Sequence, residues 1–251
     1  MIHALCGINL PLCPMGQKKL KRFAEILEFP NVLQNPEGMP GNWKNIFKND
    51  NPITLELACG KGEYALGLAR KYADRNFLGV DVKGNRLWVG AKTALKENLA
   101  NVCFMRSQID RIANYFNPGE VESIWLTFPD PQLRTSKSSK RLTHPKFLGF
   151  YQQILVPDGS IHLKTDSPSL YRFTKWVISL HNLELVDDID NLYARDNISD
   201  ELRIKTHYEN LDIAQSNTVH YLHFRLPSTL LTDKSNELKE LLREEQTDRR
   251  S

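Results

Sequence analysis

The chain has 251 residues, 41% of them hydrophobic, and a formal net charge of +3 at pH 7. This length and composition suffice for one α/β domain with a sizeable core, and the mild positive charge permits a nucleic-acid partner without requiring one. No apolar run approaches the roughly 18 residues of a membrane span, so no membrane-spanning helix is predicted. The four cysteines show no regular spacing, which favours reduced thiols and a cytoplasmic location.

Residues 1–52 are predicted to be an extension that precedes the domain. Residues 1–14 lack a basic n-region and are interrupted by prolines, so we interpret them as a poorly ordered extension rather than a signal peptide. A short basic amphipathic segment follows, from Lys18 to about Leu27. It is either an arm that contacts RNA or a solvated helix face. Residues 29–52 are rich in proline and glycine and are predicted to be a loop.

From residue 53 onward, short apolar runs alternate with amphipathic stretches. The runs predicted as strands are 53–59, 76–82, 102–107, 123–128, 160–165, 184–188 and 219–226. The stretches predicted as helices are 63–72, 86–99, 110–116, 146–155 and 168–181. This alternation predicts an α/β domain over residues 53–228, with a mostly parallel seven-stranded sheet covered by helices on both faces. The charged tail, 229–251, is predicted to end in a frayed, exposed helix.

The turn after the first predicted strand has the features of a nucleotide-type cofactor site. Gly60 and Gly62 let the backbone reverse sharply near a ligand, and the next helix offers N–H groups at its first turn. The pattern Gly60-x-Gly62-x-x-Ala65 also fits a dinucleotide fingerprint, so NAD or FAD is an alternative. Glu56 inside the strand, and Asp81 at the end of the next strand, favour S-adenosylmethionine.

Carboxylates gather where parallel strands end, which is where such sheets bind ligands. Besides Glu56 and Asp81, Asp130 and Asp166 follow two further predicted strands. Asp130 stands between two prolines, which fix their own φ and restrict the preceding residues, so its side chain is aimed from a strand end. The alternative for this Pro-Asp-Pro sequence is a rigid turn without a catalytic role.

The segment after Asp130 is basic and rich in Ser and Thr. Its cations, with no acidic residue among them, are Arg134, Lys137, Lys140, Arg141 and Lys146. A carboxylate beside such a segment suits a site that positions a base and neutralises phosphates, whereas a solvated lid is the alternative. Because nothing in residues 134–143 can contribute to a core, this loop is expected to be mobile without RNA.

Together these motifs resemble the bacterial tRNA (guanine-N(7)-)-methyltransferase family. In the family's order over residues 54–225, they are Glu56-Leu57-Ala58-Cys59-Gly60-Lys61-Gly62-Glu63, Gly79-Val80-Asp81-Val82-Lys83, Phe128-Pro129-Asp130-Pro131, Lys140-Arg141-Leu142, Lys164-Thr165-Asp166 and Thr206-x-x-Glu209. The resemblance implies a Rossmann-like methyltransferase fold with S-adenosylmethionine as cofactor. It also implies methyl transfer to N7 of a guanine in the variable loop of tRNA.

The resemblance implies a role for each matching position. The implied cofactor contacts are Glu56, Gly60, Gly62, Asp81 and Gln108, the last in place of a shorter Asp or Asn. The implied catalytic residue is Asp130. The implied substrate contacts are Arg134 (in place of Lys), Asp166, Thr206 and Glu209. Thr206 and Glu209 also fit a helix-capping box, and the family's Arg-Gly after Glu209 is replaced by Asn210-Leu211.

The implied reaction requires that the guanine be oriented toward the methyl group, and it does not require a general base. N7 of guanine has a lone pair and no proton to lose, so it attacks the sulfonium methyl directly. A carboxylate that accepts hydrogen bonds from the Watson–Crick edge of guanine orients the base and stabilises the growing positive charge. The seven histidines are scattered, so no metal site is predicted. An NAD-dependent oxidoreductase and a non-catalytic RNA-binding protein remain alternatives, and either a monomer or a homodimer is expected.

Overall fold

The computed structural model describes residues 14–210 and 218–248. Two sequence-based expectations therefore lie outside the described residues: the nature of residues 1–13, and the course of the loop that continues from Leu211. Within the described part, eight strands form one sheet with the order β1-β4-β3-β2-β5-β6-β8-β7. Their bounds are β1 Val32–Gln34, β2 Ile53–Leu57, β3 Asn76–Asp81, β4 Val102–Arg106, β5 Val121–Thr127, β6 Leu155–Thr165, β7 Glu184–Ile189 and β8 His220–Arg225.

Eight α-helices cover this sheet in the described part of the chain. Their bounds are α1 Pro14–Glu25, α2 Trp43–Phe47, α3 Glu63–Lys71, α4 Gly84–Lys96, α5 Pro145–Gln152, α6 Pro168–Leu180, α7 His207–Asn210 and α8 Ser235–Asp248. Short 3₁₀-helices span Ile109–Tyr115, Thr135–Lys140 and Leu192–Ala194. None of the described helices has both the length and the apolar character that a membrane crossing requires.

The central strands are buried on both faces, as their continuous apolar sequences predict. Every residue of β2 and β3 is buried, and β2 runs parallel to both β3 and β5. Alternate residues of β2 point to opposite faces. Leu55 and Leu57 join the core packed with α5 and α6, so Glu56 faces the side covered by α3 and α4. β8 is antiparallel to both of its neighbours, β6 and β7, whereas the other strand pairs of the described sheet are parallel.

The structure corrects the predicted strand count from seven to eight. The additional strand, β1, lies within residues 29–52, the region predicted to be a loop. It pairs with β4 at the edge of the sheet. Three residues are too few to show a periodic pattern, so this strand depends on its tertiary partner. The same region holds α2, whose Trp43 and Phe47 are buried. The strand predicted at 160–165 begins earlier, at Leu155, and its register with β5 shifts between Leu155 and Ser160.

The charged tail is also more integrated than the sequence indicates. It forms α8, but the prediction of an exposed helix is wrong for Leu238 and Leu242, which are buried four residues apart in the core beside α6. Arg172 Nε on α6 lies 3.2 Å from Glu245 Oε1. Two leucines on one helical face, together with this ion pair, therefore attach an otherwise polar helix to the domain.

Candidate active site

A cleft of about 860 Å³ opens at the carboxyl ends of β2, β3, β5 and β6. Its volume lies in the range of small-molecule sites. Three of the four predicted carboxylates, Asp81, Asp130 and Asp166, line this one cleft. The parallel strands cause this convergence, since Asp81 ends its strand, Asp166 directly follows its strand and Asp130 lies three residues after the end of β5.

The glycine turn adjoins the cleft through Asp81, although Gly60 and Gly62 are not among the residues that line it, and their cofactor contacts remain predictions. Gly60 and Gly62 adopt φ values of 57° and 68°, in the left-handed region that favours glycine. A Cβ on Gly62 would also lie 2.2 Å from Cε1 of Phe104, so packing excludes a larger residue there. Gly62 is the N-cap of α3, which begins at Glu63. The predicted strand–turn–helix unit is confirmed.

Asp81 both lines the cleft and holds the turn. Its Oδ2 accepts a hydrogen bond from Gly60 N at 2.9 Å, and its Oδ1 accepts one from Lys83 N at 2.8 Å. The side chain is 7% exposed. Asp81 therefore connects the glycine turn after β2 to the first residues after β3, at the point where a cofactor would meet both strands.

Glu56 lies beneath the turn rather than in the cleft lining. Its Oε2 accepts a hydrogen bond from Ala65 N, and its Oε1 accepts one from the Thr127 hydroxyl, both at 2.8 Å. The side chain is 2% exposed, and burial raises its pKa to about 8. Glu56 thus joins the first turn of α3 to the last residue of β5, and its implied direct contact with the cofactor remains a prediction.

The Phe-Pro-Asp-Pro segment turns sharply into the cleft. Phe128 has a φ of 48°, which is rare for a bulky residue, and its N–H donates to Lys164 O at 2.8 Å. Asp130 is exposed, and its Oδ1 accepts a hydrogen bond from Gln132 N at 3.0 Å. Asp130 therefore closes a local turn and lines the cleft at the same time, and its catalytic role remains a prediction.

The basic segment after Asp130 is partly buried. Residues 135–140 form a 3₁₀-helix on which Lys137 and Lys140 are exposed, next to the exposed Arg134. Arg141 is only 1% exposed, and the next two residues are also buried. The expectation that nothing in this loop contributes to the core is therefore wrong, and the Arg141 guanidinium is not accessible to phosphates. Lys146 Nζ is 2.6 Å from Asp110 Oδ1.

Thr206 and Glu209 lie outside the cleft lining and form a reciprocal capping box. The Thr206 hydroxyl accepts a hydrogen bond from Glu209 N, and Glu209 Oε2 accepts one from Thr206 N. Glu209 Oε2 also lies 3.0 Å from Lys164 Nζ in a buried ion pair, and the Tyr193 hydroxyl donates to its other oxygen. Burial lowers the pKa of Lys164, and the Glu209 carboxylate opposes that shift.

This ion pair attaches α7 to β6. The Lys164 ammonium also donates to the carbonyls of Leu202 and Ile204, at 2.9 and 3.0 Å. Asp166, two residues after Lys164, lies in the cleft. The segment around Thr206 and Glu209 is therefore held close to the cleft, although its two implied substrate residues are engaged with the protein itself.

Comparison with known proteins identifies the family. A family model described as a putative methyltransferase matches residues 50–222. A protein of Bacteroides thetaiotaomicron named tRNA (guanine-N(7)-)-methyltransferase is 43% identical over 222 residues, which is 85% of this chain and 87% of that protein. One of the same name from Christiangramia forsetii is 43% identical over 84% of this chain and 100% of its own length. The chain belongs to the tRNA (guanine-N(7)-)-methyltransferase family.

Solved structures confirm the Rossmann-like methyltransferase fold. The 16S rRNA methyltransferase KamB aligns with a TM-score of 0.58 over 78% of this chain and 99% of its own, at 15% identity. A 30S ribosomal A1408 methyltransferase from an uncultured bacterium aligns with a TM-score of 0.56 over 78% and 98%, at 16% identity. Family membership excludes the oxidoreductase alternative that the glycine pattern had left open.

Two further contacts that the family resemblance implies, Gln108 and Arg134, also lie away from the cleft lining. Gln108 is exposed at the start of the 3₁₀-helix that follows β4, and Arg134 is exposed just beyond the Pro-Asp-Pro turn. Their roles remain predictions. In the described residues, no group of three His, Cys, Asp or Glu side chains is placed to hold a metal ion.

Three cations that sequence reasoning missed also line the cleft: Lys83, Arg86 and Arg172. Lys83 ends one of the family motifs, which was the available signal, whereas Arg86 and Arg172 are ordinary helix residues in the sequence. The cleft therefore presents carboxylates and cations together. Carboxylates accept from hydroxyl and ammonium groups, and guanidinium groups bind carboxylates and phosphates.

Proposed function

We propose that this protein transfers the methyl group of S-adenosylmethionine to N7 of a guanine in tRNA, within the variable loop. The observation that carries the proposal is the position of Asp130. It lines the cleft together with Asp81, which holds the glycine turn through Gly60 N–H, in a chain 43% identical to tRNA (guanine-N(7)-)-methyltransferases over most of its length.

The cleft suits S-adenosylmethionine, which supplies an electrophilic methyl group on a sulfonium cation. Asp81 is placed to accept hydrogen bonds from ribose hydroxyls, because it ends the strand next to the glycine turn. Apolar side chains, among them Phe128 and Leu133, line the same cleft and offer a surface for a purine ring.

Asp130 is the residue we assign to catalysis. Gln132 N–H holds one of its oxygens, which orients the carboxylate toward the cleft. There it accepts hydrogen bonds from the guanine N–H groups and stabilises the positive charge that develops on the purine. Adenine presents a different edge, so the same carboxylate selects guanine. Asp166, across the cleft, is proposed to contact the base or its ribose.

The tRNA backbone is proposed to contact the exposed cations beside Asp130. Arg134, Lys137 and Lys140 lie on or next to the 3₁₀-helix that follows the Pro-Asp-Pro turn. Phosphate contacts of this kind position the nucleic acid without reading its sequence. A tRNA substrate agrees with the cytoplasmic location predicted from the cysteines, of which Cys59 and Cys103 are buried free thiols. The expected oligomeric state, a monomer or a homodimer, remains a prediction.

The test is to incubate the protein with bulk tRNA and methyl-labelled S-adenosylmethionine, digest the tRNA and identify the labelled nucleoside. The expected product is 7-methylguanosine, and the matched Asp130→Asn variant should form it far more slowly. Label in a different nucleoside would overturn the assignment of the acceptor atom. Tight tRNA binding without any methyl transfer would favour the alternative, a non-catalytic RNA-binding protein.

A further inference from the structure

Arg141 is a buried cation that reaches back to the segment carrying Asp130. Its Nε donates a hydrogen bond to Pro131 O at 3.1 Å, and its Nη2 donates one to Gln132 O at 3.3 Å. The guanidinium carbon lies 4.4 Å from the centroid of the Phe173 ring. Burying a guanidinium group is unfavourable unless such contacts compensate it. This arrangement therefore ties the guanidinium closely to the two residues after Asp130.

A single peptide unit connects Arg141 to Asp130. The carbonyl of the Pro131–Gln132 peptide accepts the hydrogen bond from Arg141, and the N–H of the same peptide donates to Asp130 Oδ1 at 3.0 Å. A donor at the carbonyl polarises the peptide and strengthens its N–H as a donor. Gln132 has a φ of 45°, an unfavourable conformation for a residue with a side chain, so this turn needs external support.

The same segment is attached to α6, on the other side of the cleft. Phe173, beneath the guanidinium, belongs to α6, which begins two residues after Asp166. The hydroxyls of Thr143 and Thr174 lie 2.8 Å apart and provide a second connection between these elements. Arg141 thus links the turn that bears Asp130 to the helix that follows Asp166.

We propose that Arg141 is a positioning residue for methyl transfer, acting through the Pro131–Gln132 peptide to hold the Asp130 carboxylate toward the guanine. The inference rests on the proposed function. It assigns this arginine a role that differs from the phosphate contact its basic sequence suggests, because the guanidinium faces the protein interior. Lysine cannot replace it, since one ammonium group does not reproduce the planar fork that reaches two carbonyls.

The test is a double-mutant cycle between Arg141→Lys and Asp130→Asn. Arg141→Lys alone should lower kcat roughly ten- to a hundredfold at saturating cofactor and tRNA, the effect of losing one hydrogen bond from a charged donor. Equilibrium dissociation constants for S-adenosylmethionine and tRNA should change less than about threefold. In the Asp130→Asn background, where there is no carboxylate to position, Arg141→Lys should lower kcat by less than about twofold.

Thr143→Val is the matched control. It removes the hydroxyl contact between the same two elements but no bond to the turn, so thermal stability should fall while kcat stays within about twofold of wild type. If Arg141→Lys does not fold, Phe173→Leu, which removes only the ring beneath the guanidinium, replaces it in the cycle with the same non-additive outcome expected.

An unchanged kcat in Arg141→Lys would overturn the inference, and so would an equal loss in both backgrounds, which would mark a general structural effect. These results differ from a failure of the proposed function. If the proposed function fails, the wild-type protein itself forms no 7-methylguanosine. If only the inference about Arg141 fails, the wild-type protein is active and the effects of the two substitutions on kcat are additive.

Discussion

Replacing Glu56 by glutamine tests how the buried carboxyl group supports the site. The Glu56 carboxyl bridges Ala65 N–H and the Thr127 hydroxyl, and burial raises its pKa from 4.5 to about 8. The folded protein therefore holds this proton more tightly than the unfolded chain does. Its contribution to stability is complete below pH 4.5 and is lost as the pH rises toward 8.

The magnitude follows from the two pKa values. At 1.36 kcal/mol per pKa unit, the cost of this carboxyl group to the folded state rises from about 1 kcal/mol at pH 5 to about 4 kcal/mol at pH 8. Glutamine stays neutral throughout, and its amide can donate to Thr127 Oγ1 while accepting from Ala65 N–H. The stability of Glu56→Gln relative to wild type should therefore increase by about 3 kcal/mol over this range.

The assay is urea unfolding of both proteins at several pH values between 5 and 8. Glu28→Gln is the matched control, because Glu28 is exposed to solvent and the variant reports the effect of the chemical change alone. A stability difference for Glu56→Gln that is constant with pH, or that matches the Glu28→Gln control, would refute the reasoning. Glu56→Ala, which loses both hydrogen bonds, should also weaken S-adenosylmethionine binding by loosening the glycine turn.

Three further predictions concern the cleft and its rim. Asp130→Asn should lower turnover at saturating cofactor by up to about a thousandfold with little change in S-adenosylmethionine affinity, and turnover above about a third of wild type would contradict its role. Asp81→Ala should weaken S-adenosylmethionine binding in calorimetry, because Asp81 holds Gly60 N–H; unchanged affinity would refute the assignment. The affinity for tRNA should fall with salt with a log–log slope near −3 to −4, and changing Arg134, Lys137 and Lys140 to glutamine should reduce that slope by about 2.7. A slope that survives these changes would locate the phosphate contacts elsewhere.

The parts of the site that depend on local chain geometry are predictable from the sequence. The strand, the glycine turn and α3 follow from an apolar run, two glycines and an amphipathic stretch. The carboxyl ends of parallel strands share one edge, so Asp81, Asp130 and Asp166 converge there. Pro129 and Pro131 constrain the chain around Asp130 without any tertiary contact.

The parts that depend on distant contacts are not predictable in this way. Arg141 lies in a basic run that resembles a solvated loop, and its burial depends on Phe173, which is distant in the chain. β1 has no sequence signal of its own and exists because it pairs with β4. The sequence predicts a functional role for Glu56, but its partners in α3 and β5 emerge only when the sheet is assembled.

The measurement that tests the central claim most directly is methyl transfer to a tRNA transcript in which 7-deazaguanosine replaces the guanosine of the variable loop. The replacement removes N7 and keeps the Watson–Crick edge that Asp130 is proposed to recognise. The protein should methylate the unmodified transcript, and it should bind the 7-deaza transcript with similar affinity but transfer no methyl group to it. Equal methylation of both transcripts would contradict transfer to guanine N7 at this position.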